Sequence, residues 1–187
     1  MTTGKTPRAL VLLAQGTEEM ELTITVDVLR RGGVEVVVAG LDGDGPTTCA
    51  RKVRIVPDMA LAAVSGHFDI VVLPGGADGA KRFAASSAVG RLLREREIAG
   101  DHVAAICAAP IAFAEHDVFR GRTMTCHPSV HDVVGAHGRL TTGAVVEDGT
   151  LVTSPGPGTA FEFALALVRR LVGDEKAREI RRPMLLD

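Results

Sequence analysis

The sequence predicts an α/β protein, a three-layer α/β/α sandwich around a mostly parallel sheet, and three observations predict it. Apolar, β-branched runs recur without the in-and-out alternation of a half-exposed strand. Helical patterns separate these runs, which is the rhythm of parallel strands covered on both faces. The chain of 187 residues, 46% of them apolar, has material for one well-buried core, and no internal repeat or low-complexity linker divides it. A single domain over residues 1–187 is therefore expected.

Residues 1–7 read as a polar tail and 8–14 as the first buried strand, followed by a helix over 18–32 that opens with acids. A second strand is expected over 34–40, a short hairpin or edge pair over 48–50 and 53–56, and a third strand over 70–73. The charged amphipathic pattern over 87–99 predicts a helix, 103–106 a fourth strand, and 108–115 the helix after it. Further short strands fall at 123–126, 144–146 and 151–154, the last two joined by the Asp148-Gly149 turn. A helix over 159–172 follows Gly156-Pro157-Gly158 and stops near Gly173, leaving 174–187 as a C-terminal appendage.

Composition excludes several classes. With 21 basic against 23 acidic residues, no Trp, no Tyr and only 6 Phe, the chain lacks both the basic excess and the aromatic platform of a general nucleic-acid binder. No stretch approaches the ~18 apolar residues that span a bilayer, so no membrane partner is expected. The first apolar run is too short for a signal-peptide core. Three cysteines, at 49, 107 and 126, make no disulfide framework, and free thiols point to a reducing, cytoplasmic location.

In such sheets ligands bind outside the carboxyl ends of the strands, which singles out the loops over 15–21, 74–79 and 107–110. Cys107 stands between a buried strand and a helix whose first turn accepts Pro110, and Ala105, Ala108 and Ala109 supply the small neighbours a strained elbow needs. A helix N-terminus behind the sulfur favours thiolate. A midpoint falling from about 8.5 to below about 6 would make thiolate the main form at pH 7. The alternative is that Cys107 is a small buried hydrophobe.

Pro74-Gly75-Gly76 either lets backbone amides approach a ligand or is a plain tight turn. Of Glu18, Glu19 and Glu21, two serve the helix start, while one can face the elbow as a carboxyl kept neutral by burial. His127, before Pro128, is placed as a general base or proton shuttle. Cys126, His127 and His131 have a spacing that suggests a metal, but Pro128 interrupts the helix such spacing needs, and no metal is expected. Cys126 is a core residue or a second thiol able to resolve an oxidised Cys107, and Cys49 an exposed, oxidisable thiol near a subunit contact.

These residues resemble a known family. Arg8-Ala9-Leu10-Val11-Leu12-Leu13-Ala14, Glu18-Glu19-Met20-Glu21, Val71-Val72-Leu73-Pro74-Gly75-Gly76, Ala104-Ala105-Ile106-Cys107-Ala108 and Gly156-Pro157-Gly158-Thr159-Ala160-Phe161-Glu162-Phe163 are similar to the ThiJ/PfpI superfamily, in the branch of the Parkinson-disease protein DJ-one. The match runs in order along almost the whole chain. The resemblance implies a flavodoxin-like sandwich, usually a homodimer, needing no cofactor. It implies Cys107 as nucleophile and oxidisable thiol, Glu21 as its protonated partner, His127 close by, and Gly75, Gly76 and Ala108 as amide donors around the sulfur. Two departures stand out: Ala109 where many relatives have glycine, and Pro155 where an arginine often precedes Gly-Pro-Gly. The His-x-Glu pair of amidotransferase relatives is missing, since Pro128 and Ser129 follow His127, and Ala108 stands where protease-like members carry histidine.

The expected function is a cofactor-independent glyoxalase, taking methylglyoxal or glyoxal to the 2-hydroxy acid, with deglycase repair of protein or nucleotide adducts as an extension of the same chemistry. The competing expectation is an oxidative-stress sensor or redox-gated chaperone working through oxidation of Cys107.

Overall fold

A computed structural model of the chain describes residues 6–186; the polar tail expected over 1–7 lies outside the described residues apart from Thr6 and Pro7. The first half alternates as β1 (Arg8–Leu13), α1 (Glu19–Arg31), β2 (Glu35–Gly40), a small hairpin of β3 (Thr47–Thr48) and β4 (Arg54–Ile55), and β5 (Met59–Ala60). It continues through β6 (Ile70–Leu73), α2 (Ala77–Ala85), α3 (Ser87–Ala99), β7 (His102–Ile106) and α4 (Ile111–Glu115). The remainder holds β8 (Thr123–Met124), α5 (His131–His137), β9 (Arg139–Leu140), the hairpin β10 (Val146–Asp148) and β11 (Leu151–Ser154), then α6 (Ala160–Val172) and α7 (Asp174–Arg181).

The main sheet has the order β10-β11-β7-β6-β1-β2-β5, parallel throughout except for β10 against β11. At its centre Val11 pairs with Val38 on one side and Val72 on the other, so β-branched side chains stack across three strands. Alternate residues of β1 feed opposite cores. Ala9, Val11 and Leu13 join the layer that includes residues of α1, α6 and α7, and Leu10, Leu12 and Ala14 the layer under α2 to α5. Both faces are buried, hence the absence of polar alternation in the sequence.

Local chemistry ends the helices. The Glu18 side chain accepts the Glu21 amide at 2.8 Å to cap α1, and Ser86 accepts the Val89 amide to cap α3, which Gly100 closes in the left-handed conformation. Rather than standing off the body, α7 sinks Ala177 and Ile180 into the core shared with α1 and α6.

Four differences from the sequence reading have physical causes. The helix expected over 108–115 begins only at Ile111, because Cys107 sits at φ +64°, outside helical space, and residues 108–110 turn through bonds such as Ile111 N–H to Ala108 O before Pro110 opens the helix. The strand expected over 123–126 shortens to β8, which pairs with β9 apart from the main sheet. The strand expected over 144–146 starts at Val146, where pairing with Thr153 begins. Helices α2 and α5 and strands β5 and β9 had no expected counterpart.

Candidate active site

The loops after β1, β6 and β7 meet at the carboxyl edge of the sheet and are tied together through backbone. The Glu18 amide donates to Gly75 O at 3.0 Å, the Cys107 amide to Ser154 O at 2.9 Å, and the His127 amide to Cys107 O at 2.8 Å. Cys107 therefore has its own N–H and C=O held from two directions while its φ stays at +64°. A non-glycine residue in that region is strained, and such strain collects at functional sites.

The approach is close enough to require glycine beside it. A β-carbon on residue 75 would lie 2.5 Å from the Cys107 β-carbon, and one on Gly76, whose φ is +87°, would lie 2.3 Å from Gly16 O. Ala109, by contrast, does not adopt a positive φ and is fully buried, so alanine in place of glycine there is accommodated without strain. Pro155 is half-buried between Ser154 and Gly156.

Glu21 is completely buried, and its Oε2 accepts the Gly75 amide at 2.7 Å while Oε1 has no hydrogen-bond partner among the described residues. Burial pushes its carboxyl up to about 7, against the pull of the Cys107 thiol and the Gly75 amide. The Cys107 thiol is pushed up to about 12, by burial first and then by the charge of Glu21, with the amides of Gly76 and Ala108 pulling the other way. The direction is opposite to the lowered thiol midpoint expected from a helix start behind the sulfur: burial first, and then the Glu21 charge, outweigh the amides. The two groups titrate as one unit. Near neutrality the pair gives up one proton, and it keeps the other into strongly alkaline solution, carrying a single negative charge between.

His127 is oriented by Ser129. The Ser129 amide donates to Nδ1 at 3.2 Å and the Ser129 hydroxyl pairs with the same atom at 2.8 Å. A backbone amide can only donate, so Nδ1 of the neutral ring holds a lone pair and the ring proton resides on Nε2. The neutral ring thus has an N–H donor at Nε2. Ser129 was missed in the sequence, although a serine two residues after a histidine is the local signal for such a bond.

Cys107, Ala108, Gly76, His127 and Ser129 line a cavity of about 220 Å³, with Glu18, Ala50 and Arg51 on its other wall. Arg51 was also missed. It arrives on the loop between β3 and β4, which Glu19 fastens by accepting the amide of Arg51 at 2.8 Å and that of Val53 at 3.4 Å.

The other two thiols fall away from the cavity. Cys49 is 2% exposed, so the expectation of an exposed, oxidisable thiol is not met, and burial pushes it up to about 11. Cys126 is 1% exposed, likewise pushed up to about 11 by burial, and packs in the core layer on the opposite face of the sheet from Cys107. That position suits packing.

A doubly wound sheet with a cysteine on a left-handed elbow at its carboxyl edge defines the class, a flavodoxin-like α/β protein. Residues 7–170 match the model of the DJ-1/PfpI family, and the chain belongs to that family. It is 49% identical over 180 residues to protein dj-1beta of Drosophila melanogaster, covering 95% of this chain and 96% of that one. It is 41% identical over 182 residues to the glutathione-independent glyoxalase DJR-1.2 of Caenorhabditis elegans, covering 95% and 96%. The crystal structure of Drosophila melanogaster DJ-1beta matches with a TM-score of 0.96 at 47% identity, over 98% of this chain and all of that one. No helix of the described residues is long and apolar enough to cross a membrane.

Proposed function

We propose that the protein is a cofactor-independent glyoxalase acting on small dicarbonyls such as methylglyoxal. The observation that carries this reading is the buried Glu21 carboxyl coupled to Cys107 on its elbow, beside a cavity of about 220 Å³. A cavity of that size suits a compact substrate, and the glyoxalase named among the relatives supports the same chemistry.

The singly charged pair supplies both nucleophile and base. As the Cys107 sulfur bonds to the aldehyde carbon, the remaining proton passes through Glu21 to the carbonyl oxygen, giving a hemithioacetal and a Glu21 carboxylate. Glu21 then removes the hydrogen on that carbon, leaving an enediolate whose oxygen is stabilised by N–H donors at the site, among them His127 Nε2. Return of the proton to the neighbouring carbon, with the hydroxyl proton moving between the two oxygens, produces a thioester. Water cleaves it to the 2-hydroxy acid and restores the pair. Repair of early glycation adducts uses the same addition. A homodimer within the cytoplasm completes the reading, and the exposed Met20 and Val53 offer apolar surface for a second copy.

Purified protein given methylglyoxal without glutathione is expected to form lactate, and equal turnover by Cys107→Ser would overturn the assignment. A second reading, a redox sensor or redox-gated chaperone, is favoured by one contrast: Cys107 is 8% exposed on the wall that also carries His127, whereas Cys49, in the wall of a neighbouring cavity, is 2% exposed and Cys126 is 1% exposed in the core.

A further inference from the structure

We propose that a second cavity, adjacent to the one at Cys107, binds the phosphate group of a small phosphorylated molecule. The cavity measures about 470 Å³, and among the described residues its walls carry Lys52, Lys81 and Arg82 against one acid, Asp78. Such a concentration is local, because the chain as a whole has a formal charge of -2. Neither Lys52 nor Lys81 has a carboxylate within 4.0 Å among the described residues. Arg82 meets Asp42 only at 3.7 Å across half-exposed side chains, which leaves most of its guanidinium donors for another partner.

The walls come from segments already fixed by other needs. Asp78, Lys81, Arg82 and Ala85 fall at i, i+3, i+4 and i+7 along α2, so this side of the helix, with both its cations, lines the cavity. Lys52 is held opposite them at φ +74°, in a turn closed by its amide bonding to Cys49 O at 3.1 Å. Between these walls the loop after β1 contributes Gln15, whose Oε1 accepts the Thr48 amide at 2.9 Å and whose NH₂ group is thereby left as a donor. A β-carbon on Gly16 would lie 2.6 Å from the Asp78 β-carbon, so this loop and α2 are in direct contact and the cavity keeps its shape without a ligand. Preformed walls reduce the ordering that binding would otherwise require.

Charge and size together choose the ligand class. A phosphate monoester carries ≈ −1.5 to −2 charges near neutrality and several acceptor oxygens, which matches two lysines, an arginine and an amide better than a carboxylate does. The volume exceeds what phosphate alone needs, so the ligand also has an organic body such as a sugar. Ala50 lines both cavities, with Arg51 turned to one and Lys52 to the other, so the new site is a neighbour of the Cys107 cavity with its own side chains. The proposal does not depend on the glyoxalase reading.

The test is calorimetric titration of the full chain with ribose 5-phosphate, adenosine monophosphate, inorganic phosphate and ribose. Both phosphomonoesters are expected to bind, more weakly as salt is raised, and ribose to give no heat; the tighter of the two identifies the body the cavity prefers. The double charge reversal Lys52→Glu with Lys81→Glu is expected to weaken phosphomonoester binding at least tenfold, with circular dichroism unchanged because both side chains are exposed. Lactate formation from methylglyoxal is read in parallel, so loss of that activity and loss of phosphate binding are separate results. Phosphomonoesters that bind no better than ribose, or that bind the charge-reversed variant as well as the parent, would overturn the proposal.

Discussion

Gly75 and Glu21 fix each other's position: the Gly75 amide donates to Glu21 Oε2 at 2.7 Å, and a β-carbon on residue 75 would stand 2.8 Å from that same oxygen. The added carbon would also lie 2.5 Å from the Cys107 β-carbon and 2.8 Å from Ile106 O. The Cys107 β-carbon and Ile106 O cannot swing away, and the Glu21 carboxyl, though the end of a side chain, is completely buried and held by the Gly75 amide. Gly75→Ala is therefore expected to lose about 1–3 kcal/mol through overpacking, together with turnover, because the carboxyl and the elbow must part. Urea denaturation checks this through a lower midpoint at unchanged slope.

The Glu21 carboxyl links stability to pH in a direction that can be worked out. Its folded value of about 7 stands above the ordinary 4.5, so the folded state holds the proton more tightly than the unfolded chain does. The stability contributed by the protonated form is complete below 4.5 and is lost as pH rises through about 7. The loss is on the order of 3 kcal/mol. Glu21→Gln is expected to remove this slope and to be the more stable form at pH 8, as measured by denaturation at a series of pH values. Its turnover is expected to fall at least ~100-fold, while the parent's rises with pH through about 7 as the pair acquires its charge. A parent protein whose activity is flat from pH 5 to 9 would contradict the paired titration.

How much of this was legible in the sequence follows from which forces are local. The strands of the sheet centre were legible because burial on both faces leaves runs such as Ile70-Val71-Val72-Leu73 with no polar interruption. Helix α2 was not, because Ala77-Asp78-Gly79-Ala80-Lys81-Arg82-Phe83-Ala84-Ala85 buries one large apolar residue, Phe83, and contains a glycine that is there for contact with Thr17. Strand β5, two residues long, offers no period to read. At the site, the elbow at Cys107 was visible in its small neighbours, and its left-handed backbone follows from the crowding they relieve. The sign of the thiol's shift was hidden, since it depends on how deeply Glu21 and Cys107 are buried together, a property of the folded layers. Arg51 was hidden for the same reason: the hydrogen bonds from its loop to Glu19 join distant parts of the chain.

His127 provides a prediction that separates donor from base. With Nδ1 occupied by the Ser129 amide, the ring offers N–H at Nε2, and a glutamine side chain can also offer N–H. His127→Ala is expected to lower kcat by about 100-fold, as loss of an oxyanion donor does. His127→Gln is expected to recover part of that loss, which a residue needed as a base would not permit. Ser129→Ala removes the hydroxyl bond and keeps the amide bond, so a reduction of only a few-fold is expected. Nitrogen chemical shifts of the labelled imidazole report the tautomer directly, and a proton found on Nδ1 would refute the arrangement.

Access, rather than thiol acidity, ranks the three cysteines toward peroxide. Burial pushes Cys49 and Cys126 up to about 11 and Cys107 up to about 12, so acidity of the isolated thiols gives Cys107 no advantage. What sets Cys107 apart is its place on the cavity wall that holds His127, where it is 8% exposed against 2% for Cys49 and 1% for Cys126. Mild peroxide is therefore expected to convert Cys107 to sulfinic acid and to leave Cys49 and Cys126 reduced, as read by peptide mass spectrometry. Cys126→Ala is expected to change neither the rate nor the product, because the side chain it removes packs in the other core layer. A disulfide between Cys107 and Cys126 in the parent, or faster overoxidation in the variant, would show that the two layers open far enough to exchange thiols.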